Sequence, residues 1–184
     1  FQNTTAYAGT WKYKCGPVGG HLHFGHRLLF TSNNLDPNLG DCLDILLGIP
    51  FSFIEVPLEY TQRRASGYGM RRAIQRQPHG VEYKTISSWL VSKEIGLSVL
   101  SLGKIIMDTY IREQQMLWKE TESIRTHYLQ YTSNETIRDF HRAPFLKEWK
   151  ALLPQLLGYT TFKEEIGYMV KMLEKGQTWN TQVN

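Results

Sequence analysis

Two short stretches of the chain carry residue types that could do chemistry together. Gly19-Gly20-His21-Leu22-His23-Phe24-Gly25 sets two histidines two residues apart, and Gly80-Val81-Glu82-Tyr83-Lys84 sets a glutamate and a lysine at the same spacing. Successive side chains of a β-strand point to opposite faces. If both stretches are strands, His21 and His23 share one face and Leu22 and Phe24 the other. Glu82 and Lys84 likewise share a face opposite Val81, Tyr83 and Thr85. An imidazole and a carboxylate can hold a divalent cation together, and a lysine meets phosphate as a point charge. Glycine beside such pairs lets a ligand or another backbone come close. Taken singly, each pair is equally well a solvent-facing polar face that binds nothing. The HxH pattern also occurs in zinc hydrolases, where histidines and carboxylates hold an activated water. His26 adds a third imidazole, but Gly25 interrupts the strand before it.

A second feature is a basic stretch. Arg63, Arg64, Arg71, Arg72 and Arg76 lie between Tyr60 and His79 with no acidic residue among them, although the whole chain carries a formal charge of only +4. Guanidinium groups suit phosphate through their bidentate donor fork. The same cluster would serve as a solvated loop or grip a nucleic acid backbone.

The elements that must position these residues follow from the pattern. Thr10 to Cys15 alternates and is rich in β-formers, and His21 to Phe24 follows a Gly-Pro turn as a short strand. Asp36-Pro37 is a helix start, and Leu39, Cys42, Leu43, Leu46 and Leu47 keep helical spacing until Pro50 ends or kinks the helix. Phe51 to Val56 continues as an apolar segment, and Gly67 and Gly69 make the arginine stretch an irregular loop. Val81 to Ser87 reads as a strand. Ser92 caps a long helix with an apolar stripe of Ile95, Val99, Leu102, Ile106 and Tyr110. Further helices are expected to open at Asn134, at Ala143-Pro144 and at Thr161, the last running from Phe162 to Lys175 before a frayed tail from Gly176. Trp118, Tyr128 and Trp149 lie among charged residues of this half, where they suit helix packing or a binding surface. Strands in the first half and helices in the second indicate an α+β fold.

Composition bounds the class. The 184 residues, 41% hydrophobic and 12% aromatic, can bury a proper core, so global disorder is excluded. No run approaches the roughly 20 apolar residues that span a bilayer, and no charged-then-apolar leader is present, so neither an anchor nor a signal peptide is expected. Cys15 and Cys42 give no disulfide framework and read as thiols in a reducing compartment. The chain opens at Phe1 rather than Met, so an upstream segment is expected.

Four blocks in order, GGHLHFG, LDILLGIP, RRASGYG and PHGVEYKTISSWL, together resemble the phage-type carboxylate–amine ligases (amidoligases) of the glutamine synthetase superfamily. The resemblance covers roughly Gly19 to Tyr110 and implies a partial glutamine synthetase-like antiparallel sheet with packed helices. On this basis residues 1–112 are expected to form the C-terminal half of an amidoligase-like α+β domain, and residues 113–184 a helical extension. It also implies use of ATP and Mg to phosphorylate a carboxylate, after which an amine displaces the phosphate and leaves an amide. Carried onto this chain, His21 and Glu82 match the residues that coordinate one cation, and His23 matches a histidine near the phosphoryl-transfer region. Arg63 and Arg64 fall in the basic block that faces nucleotide or acyl phosphate, with Arg71 and Arg72 as further nucleotide contacts. Lys84 stands where arginine is more usual, which retains the charge and loses the fork.

One departure is large. The family supplies further metal-binding carboxylates from an acidic half upstream of the HxH block, whereas Phe1 to Val18 contains no Asp or Glu. Asp36 reads as a helix cap, and Asp41, Asp44 and Glu55 as part of the helical segment and its exit. The expectation is a subunit or fragment whose missing carboxylates come from a second chain, with peptide or small amine and carboxylate substrates and a role for oligomers. Two alternatives stand beside it: an inactive amidoligase-like structural or interaction protein of a phage particle, and an HxH metal-dependent hydrolase. A nucleic-acid-binding role for the arginines is the weakest reading, and a membrane role has no support. The place implied is the cytoplasm, that of the infected host cell for a phage protein, or the virion.

Overall fold

The computed structural model describes residues 20–26, 37–128 and 141–179. Strand β1 (Leu22–Phe24) is followed by α1 (Pro37–Leu43), which runs through a π-helical turn (Asp44–Gly48) into α2 (Ile49–Ser52) and then α3 (Pro57–Ala65). Strands β2 (Ile74–Gln77) and β3 (Gly80–Tyr83) form a hairpin. After it come α4 (Lys93–Glu120), α5 (Glu122–Tyr128), α6 (Arg142–Leu152), a 3-10 turn (Leu153–Gln155) and α7 (Lys163–Lys175). The sheet is antiparallel in the order β1-β3-β2, so β3 is central. The fold is α+β, as the order of strands and helices implies.

The sheet buries one face. Leu22, Val81 and Tyr83 are enclosed, with Phe24 and Ile74 packed at the margin of the same cluster. The stripe of α4 lies against this layer, and Ile95, Val99, Leu102, Ile106 and Tyr110 are all buried. Helix α4 starts where the serine is, because Ser92 Oγ accepts a hydrogen bond from the Ile95 amide at 3.1 Å and satisfies one of the amides a helix start leaves open. It kinks at Glu113, whose φ/ψ of −138°/44° is not helical.

A single apolar cluster takes in residues on both sides of position 112. Leu46 and Tyr83 share it with Phe145, Trp149, Ile166 and Leu173. Trp149 is fully buried and donates its indole N–H to the Leu46 carbonyl at 3.0 Å. Tyr128 is buried too, and the Arg125 guanidinium stacks over Trp118 at 3.1 Å from the ring centroid, so all three aromatic residues pack within the helical layer.

Several local expectations need correction. The helix does not stop at Pro50, which falls in the first turn of α2, where a proline lacking an N–H is tolerated. The start of the supposed loop, up to Ala65, is helical, because α3 runs over Pro57–Ala65. The strand expected to reach Ser87 ends at Tyr83, because the next three carbonyls turn away to bond a side chain described below. The tail does not fray at Gly176. Gly176 closes α7 in the left-handed conformation, and Trp179 is buried beside Phe51 with its amide on the Ile54 carbonyl at 3.3 Å. The strand expected at Thr10 to Cys15, the cap at Asp36 and the helix start at Asn134 lie outside the described residues.

Candidate cation site

In the register of the sheet His23 sits directly opposite Glu82, with Gln75 on the far side of Glu82. Pairing and alternation together therefore put His23, Glu82, Gln75 and Lys84 on the face away from the core. Gly80 makes this pairing feasible. Its φ is +149°, and a β-carbon there would lie 1.9 Å from the Phe24 carbonyl oxygen, so no other residue lets β1 approach the hairpin so closely.

Glu82 is the centre of the arrangement. Its Oε1 is paired with His21 Nδ1 and lies 3.8 Å from His23 Nε2, while its Oε2 accepts from the Gln77 side-chain amide at 2.5 Å. One ligand atom from each of His21, His23 and Glu82 falls within 4.8 Å of the others, and among the described residues this is the one such group of three. Burial of the carboxylate raises its pKa, but the Gln77 amide, the His21 imidazole and the Lys84 ammonium together outweigh burial and leave it below the usual range. Glu82 therefore carries its charge at neutral pH. Its side chain is 10% exposed, whereas those of His21 and His23 are 37% and 47% exposed. The group is a buried anion with two imidazoles at an open rim.

The donor set fits a divalent cation. The two imidazoles suit zinc, and the carboxylate suits manganese or magnesium. Magnesium, which keeps several waters and binds through one or two carboxylates plus substrate phosphates, would use Glu82 and His21 and leave the remaining positions to solvent and phosphate.

Lys84 lies on the same face, and its ammonium donates to Gln75 Oε1 at 2.5 Å. The arginines are placed differently. Arg63 is 2% exposed, and its guanidinium donates to the carbonyls of Thr85 at 2.6 Å and of Lys84 and Ile86 at 2.8 Å each. A β-carbon at Gly69 would fall 1.9 Å from Arg63 Nη1, so that glycine is part of the same clamp. Arg64 lies over the Tyr60 ring at 3.6 Å and donates to Glu55 Oε2 at 3.3 Å. Arg72 makes a bidentate pair with Asp41, at 2.5 and 2.9 Å, and its backbone amide donates to Asp44 Oδ2 at 2.6 Å. Arg71 is partly buried, which pulls its pKa below the usual range while Asp44 and Asp41 pull it back. The structure thus brings His21, His23, Glu82 and Lys84 together. Arg63, Arg64 and Arg72 donate to protein acceptors, and the carboxylates Asp41, Asp44 and Glu55 accept from protein donors.

Gln75, Gln77 and His79 belong to the site's surroundings, and the sequence reading missed them. The signal was present: Ile74-Gln75-Arg76-Gln77 followed by Pro78-His79-Gly80 is a short polar strand and a turn ahead of the next strand, a hairpin pattern hidden inside an arginine count.

An antiparallel sheet with a histidine–histidine–glutamate group on its open face gives an α+β protein with a candidate cation site. The chain belongs to the phage phiEco32-like COOH.NH2 ligase-type 2 family, whose model matches residues 2–184. That match runs on through α4 to α7, well past the four blocks from which the resemblance was drawn. Comparison with curated proteins and with solved structures finds no significant match.

Proposed function

We propose that this chain supplies the cation-binding strand face of an ATP-dependent carboxylate–amine ligase, acting as a subunit or part of one. The observation that carries the reading is the convergence of His21, just before β1, His23 in β1 and Glu82 in the neighbouring β3, with Lys84 two residues beyond the glutamate. Glu82 and His21 would hold the cation, which, when bound, offsets charge on a transferring phosphoryl group. Lys84 offers a positive charge to phosphate beside it. A carboxylate substrate is activated by phosphorylation, and an amine then displaces phosphate to leave an amide. Arg63 acts on this chemistry from a distance by fixing residues 84 to 86. Glu82 is the one carboxylate in the group, so further acidic ligands are drawn from another chain or segment, in the setting of an infected host cell.

The test is binding of Mn2+, read by electron paramagnetic resonance, together with Mg2+-dependent ADP release when ATP and candidate acceptors are present. One ion is expected to bind, with affinity lowered at least about tenfold in Glu82→Gln. Unchanged binding in that variant sinks the reading. A second reading, an amidoligase-like interaction protein without turnover, is favoured by one observation: Arg63, Arg64 and Arg72 are all committed to protein acceptors. ATP that neither binds nor turns over, with the cation site intact, selects it.

A further inference from the structure

His79 lies in the turn between β2 and β3, and its Nε2 is 3.0 Å from His23 Nδ1. Two ring nitrogens at that distance share a proton: one donates and the other accepts. If His79 donates, the proton of a neutral His23 sits on Nε2, the nitrogen that faces Glu82, and that nitrogen has no lone pair for a metal. If His23 donates from Nδ1, the Nε2 lone pair is directed to the same side as Glu82 Oε1, 3.8 Å away. Only the second arrangement lets His23 join His21 and Glu82 as a donor.

We propose that His79 is a positioning residue that accepts the Nδ1–H of His23 and so holds the His23 Nε2 lone pair on the cation site. The proposal rests on the cation reading above and adds to it a residue that touches neither cation nor substrate. The hydrogen-bond partner of the distal nitrogen decides tautomer and ring orientation in a metal-binding histidine. Both imidazoles are exposed, so without such a partner the ring of His23 would be free to turn. The backbone supports the pairing. His79 precedes Gly80, where β1 makes its closest approach, and a β-carbon at Gly25 would lie 3.1 Å from the His79 carbonyl oxygen. The turn is therefore pressed against the end of β1 that carries His23.

The experiment uses the full chain with 15N-labelled histidine, at a pH of about 8 where free imidazole is neutral. Long-range 1H–15N correlation reads the tautomer of His23, and the coupling across the N–H···N bond reads its partner. The wild type is expected to show His23 protonated on Nδ1, coupled to His79 Nε2. His79→Phe, which keeps a ring and removes the acceptor, is expected to give a mixture of both His23 tautomers and Mn2+ affinity lower by about tenfold or more. His79→Gln, which returns an acceptor oxygen, is expected to restore both readouts towards wild type. His23 protonated on Nε2 in the wild type overturns the proposal without need of any variant. So does a His79→Phe protein with unchanged tautomer and affinity. Failure of the wild type to bind Mn2+ overturns the cation site instead, and the tautomer, which needs no cation, still reports whether His79 holds the ring.

Discussion

Arg63 allows the sharpest separation between a side chain that touches a ligand and one that builds the site. Its guanidinium is buried and donates three hydrogen bonds of 2.6–2.8 Å to consecutive carbonyls, those of Lys84, Thr85 and Ile86. Hydrogen bonds from a charged donor contribute about 1.5–3 kcal/mol each, and three to neighbouring carbonyls do not simply add. Removing them also removes a desolvation cost, since burial of the guanidinium already lowers its pKa. Arg63→Ala should therefore cost about 3–5 kcal/mol of unfolding free energy. Arg63→Lys should recover only part of it, because a single ammonium cannot reach three carbonyls in that fork. Urea unfolding at neutral pH measures both. A loss under about 1 kcal/mol in Arg63→Ala, with nucleotide affinity down at least about tenfold, would refute the clamp and return Arg63 to the phosphate.

Three further outcomes follow from other residues. Burial raises the Asp44 carboxyl from 3.8 to about 6, against hydrogen bonds from Tyr83 and the Arg72 amide; between those values the unfolded chain binds fewer protons, so stability falls as pH rises. The fall amounts to about 3 kcal/mol and is complete above about pH 6, and urea midpoints against pH should show this step in the wild type and not in Asp44→Asn. Gly80→Ala puts a β-carbon on the Phe24 carbonyl at a φ of +149°, and should cost about 2–4 kcal/mol and abolish Mn2+ binding by undocking β1; a stable variant that still binds would contradict this. Ser92→Ala removes the cap of α4 and should lower stability by about 1 kcal/mol in thermal melts, with the cation site unchanged.

The sequence disclosed the spacing of the candidate donors better than their surroundings. Period-two alternation was enough to pair His21 with His23 on one face of their strand and Glu82 with Lys84 on one face of theirs, because a strand with one buried side tolerates no other arrangement. Which strands pair is a tertiary choice, and nothing local sets His23 opposite Glu82. The stripe of α4 and its Ser92 cap were legible because local geometry dictates both. Arg63 could not be told from Arg64 or Arg72 by counting charge, since burial depends on Gly69 and on carbonyls some 20 residues away. β2 escaped because Ile74 is the one β-branched residue of an otherwise polar edge strand, so only the turn after it marked the hairpin. Trp179 looked like part of a polar tail, and only the fold supplies the Phe51 ring and Ile54 carbonyl that retain it.

The strand order has a consequence for how the site comes into being. Residues 74–83 close a hairpin over a two-residue turn, so Gln77, His79 and Glu82 can be assembled by a short-range event. β1 joins the other edge of β3 from much further away: His23 and Glu82 are 82 − 23 = 59 positions apart. The chain entropy of that closure must be met before any His–Glu contact rewards it, which makes β1 docking the late, slow step. An ion that binds only the docked arrangement would slow the detachment of β1 and shift the population towards the closed sheet. For a chain that binds such an ion, assembly of the sheet and occupancy of its open face would be one equilibrium, and cation concentration would set how much of the protein has β1 in place.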